Sequence, residues 1–335
     1  MSSAQVNRRY LLAARPTGPV TAANFRLEEA AAPEPGPGEF VVRNHWLSLD
    51  PANLGWMSAG RSYIEPVEIG AVMRGFAAGV VISSRHPDYA IGDRVAGLFG
   101  WQDYALSDGS GVRRARPEAR LVDMLGVLGL PGLTAYFGLL DVGRPKAGET
   151  VLVSAAAGAV GSIVVQIARI LGCNVVGIAG GQDKCDMIRG LGARAVDYKA
   201  EVFDAKLREA CPNGVDLFFV NVGGAVLEAA IRRMNVGGRI ALCGGISQYG
   251  SEAPRGPANY LQLLTRRVRM QGFIYFDYAP RFDEGEAALA AWLSRGWIVH
   301  REEIVQGLTQ APDALNRLFE GANRGKLLVC IAPES

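Results

Sequence analysis

The stretch VLVSAAAGAVGSIVVQIARIL, residues 151–171, decides how this chain folds. Val151 to Ser154 is apolar enough for a buried strand, and Val160 to Leu171 carries apolar side chains at helical spacing. Between them lies Ser154-Ala155-Ala156-Ala157-Gly158-Ala159-Val160-Gly161, an AxGxxG turn with Ala156 in the first glycine position. Small residues there let backbone amides approach a pyrophosphate at the positive end of the helix, while the last glycine permits close strand–helix packing. Ala156, Gly158, Ala159, Val160 and Gly161 are therefore candidate dinucleotide contacts. Val151 to Ala168 carries no charge, yet Ser154, Gly158, Gly161, Ser162 and Gln166 interrupt it. Strand, turn and helix is the reading, and no membrane segment is expected.

Working outward, the same alternation continues downstream. Strands are predicted at Asn174–Ala179, Ala195–Asp197, Val215–Asn221, Arg239–Cys243 and Met270–Phe276. Helices are predicted at Asp183–Leu191, Phe203–Ala210, Leu227–Met234 and Leu261–Arg267. Parallel strands require crossover helices, so this rhythm predicts an α/β fold with a doubly wound parallel sheet. Upstream, short apolar runs at Phe40–Arg43, Gly79–Ser83 and Arg94–Leu98 are separated by Gly and Pro, which predicts a β-rich unit. A helix at Pro312–Glu320 and a strand at Lys326–Ile331 are expected to return to that first unit.

Length and composition agree with two soluble domains. The chain has 335 residues, enough for about two domains, with 49% hydrophobic and 20% charged residues. Lys plus Arg number 35 against 33 Asp plus Glu, so no global field favours nucleic acid or an anionic membrane. Arg8-Arg9 precede an apolar run that Arg15-Pro16 cuts too short for an export signal, leaving a first strand as the reading. The five cysteines, Cys173, Cys185, Cys211, Cys243 and Cys330, are scattered, which predicts free thiols and a cytoplasmic location. His45, His86 and His300 show no zinc-ligand spacing, so no metal is expected.

The phosphate state of the cofactor is legible after the second strand. An NAD site presents an acid there to the ribose hydroxyls, whereas a 2′-phosphate needs room and a cation. Here the strand ends Ile178-Ala179-Gly180-Gly181, without an acid, and Lys184 follows, which favours NADPH. Asp183 is the contrary signal, although it also suits the first turn of a helix.

Five separated motifs then carry a resemblance over nearly the whole chain. They are Leu130-Pro131-Gly132-Leu133-Thr134-Ala135-Tyr136-Phe137-Gly138-Leu139-Leu140, the AAAGAVG turn, Asn221-Val222-Gly223-Gly224, Cys243-Gly244-Gly245-Ile246-Ser247-Gln248-Tyr249, and Gly321-Ala322-Asn323-Arg324-Gly325-Lys326. In this order they resemble the zinc-independent medium-chain dehydrogenase/reductases, in the prostaglandin reductase, leukotriene 12-hydroxydehydrogenase and bacterial curcumin reductase group. The resemblance implies a GroES-like catalytic domain of residues 1–123 and 297–335 around a Rossmann NADP-binding domain of residues 124–296, and a homodimer. It implies NADPH-dependent reduction of the C=C bond of enones or enals, by hydride transfer to the β-carbon. A quinone reductase, or an NADPH-binding protein without turnover, is the alternative.

The resemblance also implies residue roles. Lys184 and Tyr198 would meet the 2′-phosphate, with Gly180 beside them. Asn221, Asn323, Ser247 and Thr134 would lie by the cofactor, and backbone groups of Phe273 and Tyr275 would hold the carboxamide. Tyr249 would stand beside the substrate carbonyl and stabilise the enolate as an oxyanion-type donor. Where relatives read LSLDPYMRGRM, this chain reads Leu47-Ser48-Leu49-Asp50-Pro51-Ala52-Asn53-Leu54-Gly55-Trp56-Met57, which implies a pocket changed in shape and polarity. Zinc-dependent relatives carry Gly-His-Glu where Gly75-Phe76-Ala77 stands.

Overall fold

The computed structural model describes residues 5–60, 62–249 and 255–334. In chain order, the first part holds β1 (Val6–Leu12), β2 (Phe25–Ala31), β3 (Phe40–Ser48), α1 (Ala52–Met57), β4 (Ala77–Ser84), β5 (Arg94–Gly97), β6 (Tyr104–Ser107) and β7 (Arg113–Arg114). The middle holds α2 (Leu130–Phe137), β8 (Thr150–Ser154), α3 (Ala159–Ile170), β9 (Asn174–Ala179), α4 (Gln182–Gly190), β10 (Arg194–Asp197) and α5 (Phe203–Ala210). It continues with β11 (Val215–Val220), α6 (Gly224–Ile231), β12 (Met234–Leu242), α7 (Leu261–Thr265), β13 (Arg269–Gly272) and α8 (Phe282–Ser294). The chain closes with β14 (Glu302–Gln306), α9 (Ala311–Phe319) and β15 (Lys326–Cys330).

These elements form two compact units. One comprises Met1–Leu125, Glu302–Asn323 and Leu327–Ser335, and the other Gly126–Arg301 with Arg324–Lys326. The first is built on a sheet in the order β14-β15-β3-β4-β5-β7, antiparallel from β15 to β7, with β6 also paired to β3. Its core gathers Phe40, Leu47, Trp56, Met57, Trp101 and Leu315. The second has a parallel sheet in the order β10-β9-β8-β11-β12-β13. That order reverses between β8 and β11, the switch point beyond whose strand ends such sheets bind nucleotides. Val151, Leu152, Val153, Leu217, Phe218, Phe219 and Val220 are buried along the two central strands, as a sheet covered on both faces requires. Arg239 of β12 ties this sheet together by pairing with Glu149 and donating to the Gly143 carbonyl at 2.8 Å.

Two predicted boundaries shift. Met234, expected to close a helix, instead opens β12, which crosses a register irregularity between Val215/Met234 and Leu217/Arg239. Gly237, at φ +76°, makes that irregularity possible, so a glycine pair that reads as a turn lies inside a strand. The strand expected through Phe276 stops at Gly272, because Tyr275–Arg281 winds into a 3₁₀ turn.

Candidate functional site: the strand ends of the parallel-sheet unit

The glycine turn shows why its residues are small. Ala155 sits at φ +50°, and the Gly158 N–H donates back to its carbonyl at 2.9 Å. A Cβ on Gly161 would lie 2.3 Å from that same carbonyl oxygen, backbone that cannot give way. Ala156, buried in the first glycine position, is accommodated from the other side. A Cβ on Gly177 of β9 would lie 2.7 Å from its methyl, so glycine there supplies the room that the turn itself does not. Gly158 is the N-cap of α3, whose opening N–H groups have no intrahelical acceptor. Donors of that kind on small residues fit a pyrophosphate. Gly325 forms a parallel bridge with Gly158, so the segment Arg324–Lys326 completes the turn from outside the sheet.

The residues expected at the adenosine end lie after β9 and β10. A Cβ on Gly180 would fall 2.8 Å from Cε1 of Tyr198 and 3.0 Å from Cε of Lys199, so both side chains fold over a glycine. The Gly181 N–H donates to Asp197 at 3.0 Å, and with the Lys199 N–H it holds the Asp197 carboxyl below the usual carboxylate range. Lys184 is half-buried in the first turn of α4. Asp183, its neighbour, pairs with Arg324 at 2.5 Å. Asp197, Lys199 and Arg324 were not singled out from sequence. Lys199 had a signal in following Tyr198, but the Arg324 pairing spans 141 positions and had none.

Beyond the ends of β11 and β12, the loops are laced together. Asn221 donates from its backbone to Ser154 Oγ and from its side chain to the Ser154 carbonyl, both at 2.8 Å. The Ser247 hydroxyl donates to the Val222 carbonyl at 2.7 Å. Tyr249 follows on the same loop, 42% exposed, its hydroxyl oxygen accepting the Gly245 N–H at 3.3 Å. The Phe273 ring is buried edge-on to Phe219 and Tyr278, with centroids 6.1 and 6.4 Å away. Tyr275 opens the 3₁₀ turn that follows, and Thr134 is buried in α2. Cys243, at the root of the loop, is half-buried, and burial pushes its thiol up to about 12.

Asn323 belongs to the other unit, between α9 and β15. In that unit the Ala52 segment packs inward: Leu54 and Trp56 are buried in the core cluster, and Ala52 is packed against that cluster. The Trp56 indole N–H donates to the Tyr63 hydroxyl at 3.2 Å.

Comparison with known proteins follows the same division. Residues 8–115 match the family described as the N-terminal domain of oxidoreductase, and residues 159–293 match the one described as zinc-binding dehydrogenase. The chain is 44% identical to the NADPH-dependent curcumin reductase of Escherichia coli (strain K12), covering 98% of each. It is 39% identical to the 2-alkenal reductase (NADP(+)-dependent) of Nicotiana tabacum, covering 89% of each. A crystal structure of CurA in complex with NADPH from Vibrio vulnificus superposes with a TM-score of 0.93 at 46% identity, over 98% of this chain and 100% of that one.

Proposed function

The chain belongs to the zinc-independent medium-chain dehydrogenase/reductases, a Rossmann unit joined to a GroES-like one, and from that membership we propose that it uses NADPH to reduce the C=C bond of α,β-unsaturated ketones and aldehydes. The observation that carries this reading is the convergence of a small-residue turn, the Gly180-Gly181 strand end with Lys184 and Lys199 after it, and a tyrosine-bearing loop beyond the carboxyl ends of one sheet's strands. In this reading Ala156, Gly158, Ala159, Val160 and Gly161 hold the pyrophosphate, while Gly180, Lys184 and Tyr198 hold the 2′-phosphate end. Thr134, Asn221, Ser247, Asn323 and the backbone of Phe273 and Tyr275 hold the nicotinamide half.

When bound, NADPH supplies the hydride that adds to the substrate β-carbon. The chain's own task is to manage the charge that gathers on the carbonyl oxygen. Tyr249 is the donor for that oxygen. Accepting the Gly245 N–H engages a lone pair of its hydroxyl and not the proton, so the contact orients the phenol while making it a better donor. Asn221, pinned twice to the end of β8, fixes the floor beneath the reacting face.

Location and assembly follow from the same reading. The five cysteines are unpaired, which supports a reducing, cytoplasmic setting. Among the described residues β13 pairs only with β12, and Tyr260, Leu261 and Leu264 just before it are exposed, which supports a homodimer through this edge. The test is stopped-flow loss of NADPH absorbance with a panel of enones, enals and quinones, followed by product analysis. A saturated ketone or aldehyde is expected. Hydroquinone as the sole product would replace this reading with quinone reduction, and no oxidation with any acceptor would overturn both.

A further inference from the structure

We propose that Arg324 is a specificity-determining residue for NADPH, acting by cancelling the charge of Asp183 at the adenosine end. The inference rests on the reading that the dinucleotide lies along the Gly158 turn. Asp183 occupies the first turn of α4, immediately beyond the Gly180-Gly181 strand end, with 71% of its side chain exposed. Left alone, a carboxylate there would suit a ribose 2′-hydroxyl and repel a 2′-phosphate. Arg324 answers it from 141 positions away.

The placement of Arg324 is fixed by the backbone rather than by the ion pair. The next residue, Gly325, bridges Gly158, and a Cβ on Gly325 would lie 2.2 Å from the Arg301 carbonyl oxygen, so the chain passes there in one path. Lys326 N–H donates to that same carbonyl at 2.8 Å. Arg324 thus reaches from the glycine turn to the start of α4. The charges at this end include Lys184, Lys199, Lys206 and Arg324 against Asp183 and Asp197. Asp197 already spends its carboxylate on the N–H groups of Gly181 and Lys199. Asp183 is the exposed acid of the set, and without Arg324 its charge is left to oppose a dianionic phosphate.

Calorimetric titration of the full-length protein with NADP⁺ and NAD⁺ tests this in four forms: wild type, Arg324→Gln, Asp183→Asn and the double variant. One unit charge acting on a dianion across a solvated gap is worth roughly fivefold in affinity. Arg324→Gln should weaken NADP⁺ by about that factor and NAD⁺ by less than about twofold. Asp183→Asn should tighten NADP⁺ binding, and in the double variant the two effects should offset, leaving NADP⁺ affinity within about twofold of wild type. An unchanged NADP⁺ affinity in Arg324→Gln would overturn the proposal. So would a double variant as weak as Arg324→Gln alone, which would mean that Arg324 acts on the nucleotide without reference to Asp183. Failure of the wild type to bind either dinucleotide removes the underlying reading together with the inference, whereas those two results remove the inference alone.

Discussion

Replacing Gly138 with alanine gives a sharp test of how the nicotinamide end is built. Gly138 begins a π-helical stretch, Gly138–Gly143, that continues α2, and irregularities of this kind gather at functional sites. A Cβ there would lie 2.1 Å from Cζ of Phe273 and 2.8 Å from both Cε atoms. Ordinary carbon contact begins near 3.5 Å, so the ring must retreat by roughly 1.5 Å. Phe273 is only 9% exposed and is held edge-on by Phe219 and Tyr278, so that retreat drags its backbone. Overpacking of this kind costs about 1–3 kcal/mol, partly offset by the roughly 0.5–1 kcal/mol gained on removing a helical glycine. The net loss of about 1–2 kcal/mol lowers Tm by roughly 2–8 °C for a unit of this size. If the Phe273 and Tyr275 backbone holds the carboxamide, an ångström of displacement raises the Kd for NADPH by about tenfold or more. Binding of 2′,5′-ADP, which lacks the nicotinamide half, stays unchanged. Differential scanning calorimetry and isothermal titration with both ligands read these outcomes. Adding Phe273→Leu to Gly138→Ala should restore much of the lost stability by vacating the ring's space. Equal weakening of NADPH and 2′,5′-ADP, or no change in either Tm or NADPH affinity, would refute the reasoning.

Three other outcomes are expected. Tyr249→Phe removes the proposed oxyanion donor and should lower kcat by roughly tenfold to a thousandfold with little change in the Kd for NADPH; an unaltered kcat in steady-state assays moves the role elsewhere. Burial pushes the Cys173 and Cys211 thiols up to about 11 and Cys243 up to about 12, so at neutral pH they stay protonated, and the native protein should label slowly with iodoacetamide at all three until it is unfolded. Burial alone would raise the Glu149 carboxyl, but hydrogen bonds from Arg239 and the Lys146 N–H outweigh it and leave it depressed. The stability this supplies is present above the ordinary carboxylate range and lost as pH falls through the depressed value, so the Tm deficit of Arg239→Gln should be largest near neutrality and shrink below about pH 4.

Most of the parallel-sheet unit was legible because its signals are local. A strand, a run of small residues and an amphipathic helix identify the pyrophosphate turn within a few residues, and α5 falls on Phe203–Ala210 as the spacing predicts. What escaped was non-local. Gly177 makes room for Ala156 from a neighbouring strand, and Asp183 is answered from a segment far along the chain. The helix α8 was not singled out at all: Gly285 lies in its first half, packed toward Leu133 and Phe137, where local preference argues against a helix. The Ala52 segment is a related case. Its departure from the familiar motif is plain in sequence, but only packing shows that Leu54 and Trp56 face the core.

The bridge between Gly325 and Gly158 has a consequence for how the protein is made. Residues 126–301 carry the whole parallel sheet, yet the backbone partner of their small-residue turn comes from Arg324–Lys326, after β14 and α9 of the other unit. Synthesis therefore finishes the sheet before the clasp on its turn. A chain cut short ahead of Arg324 keeps every strand of the sheet and loses the clasp.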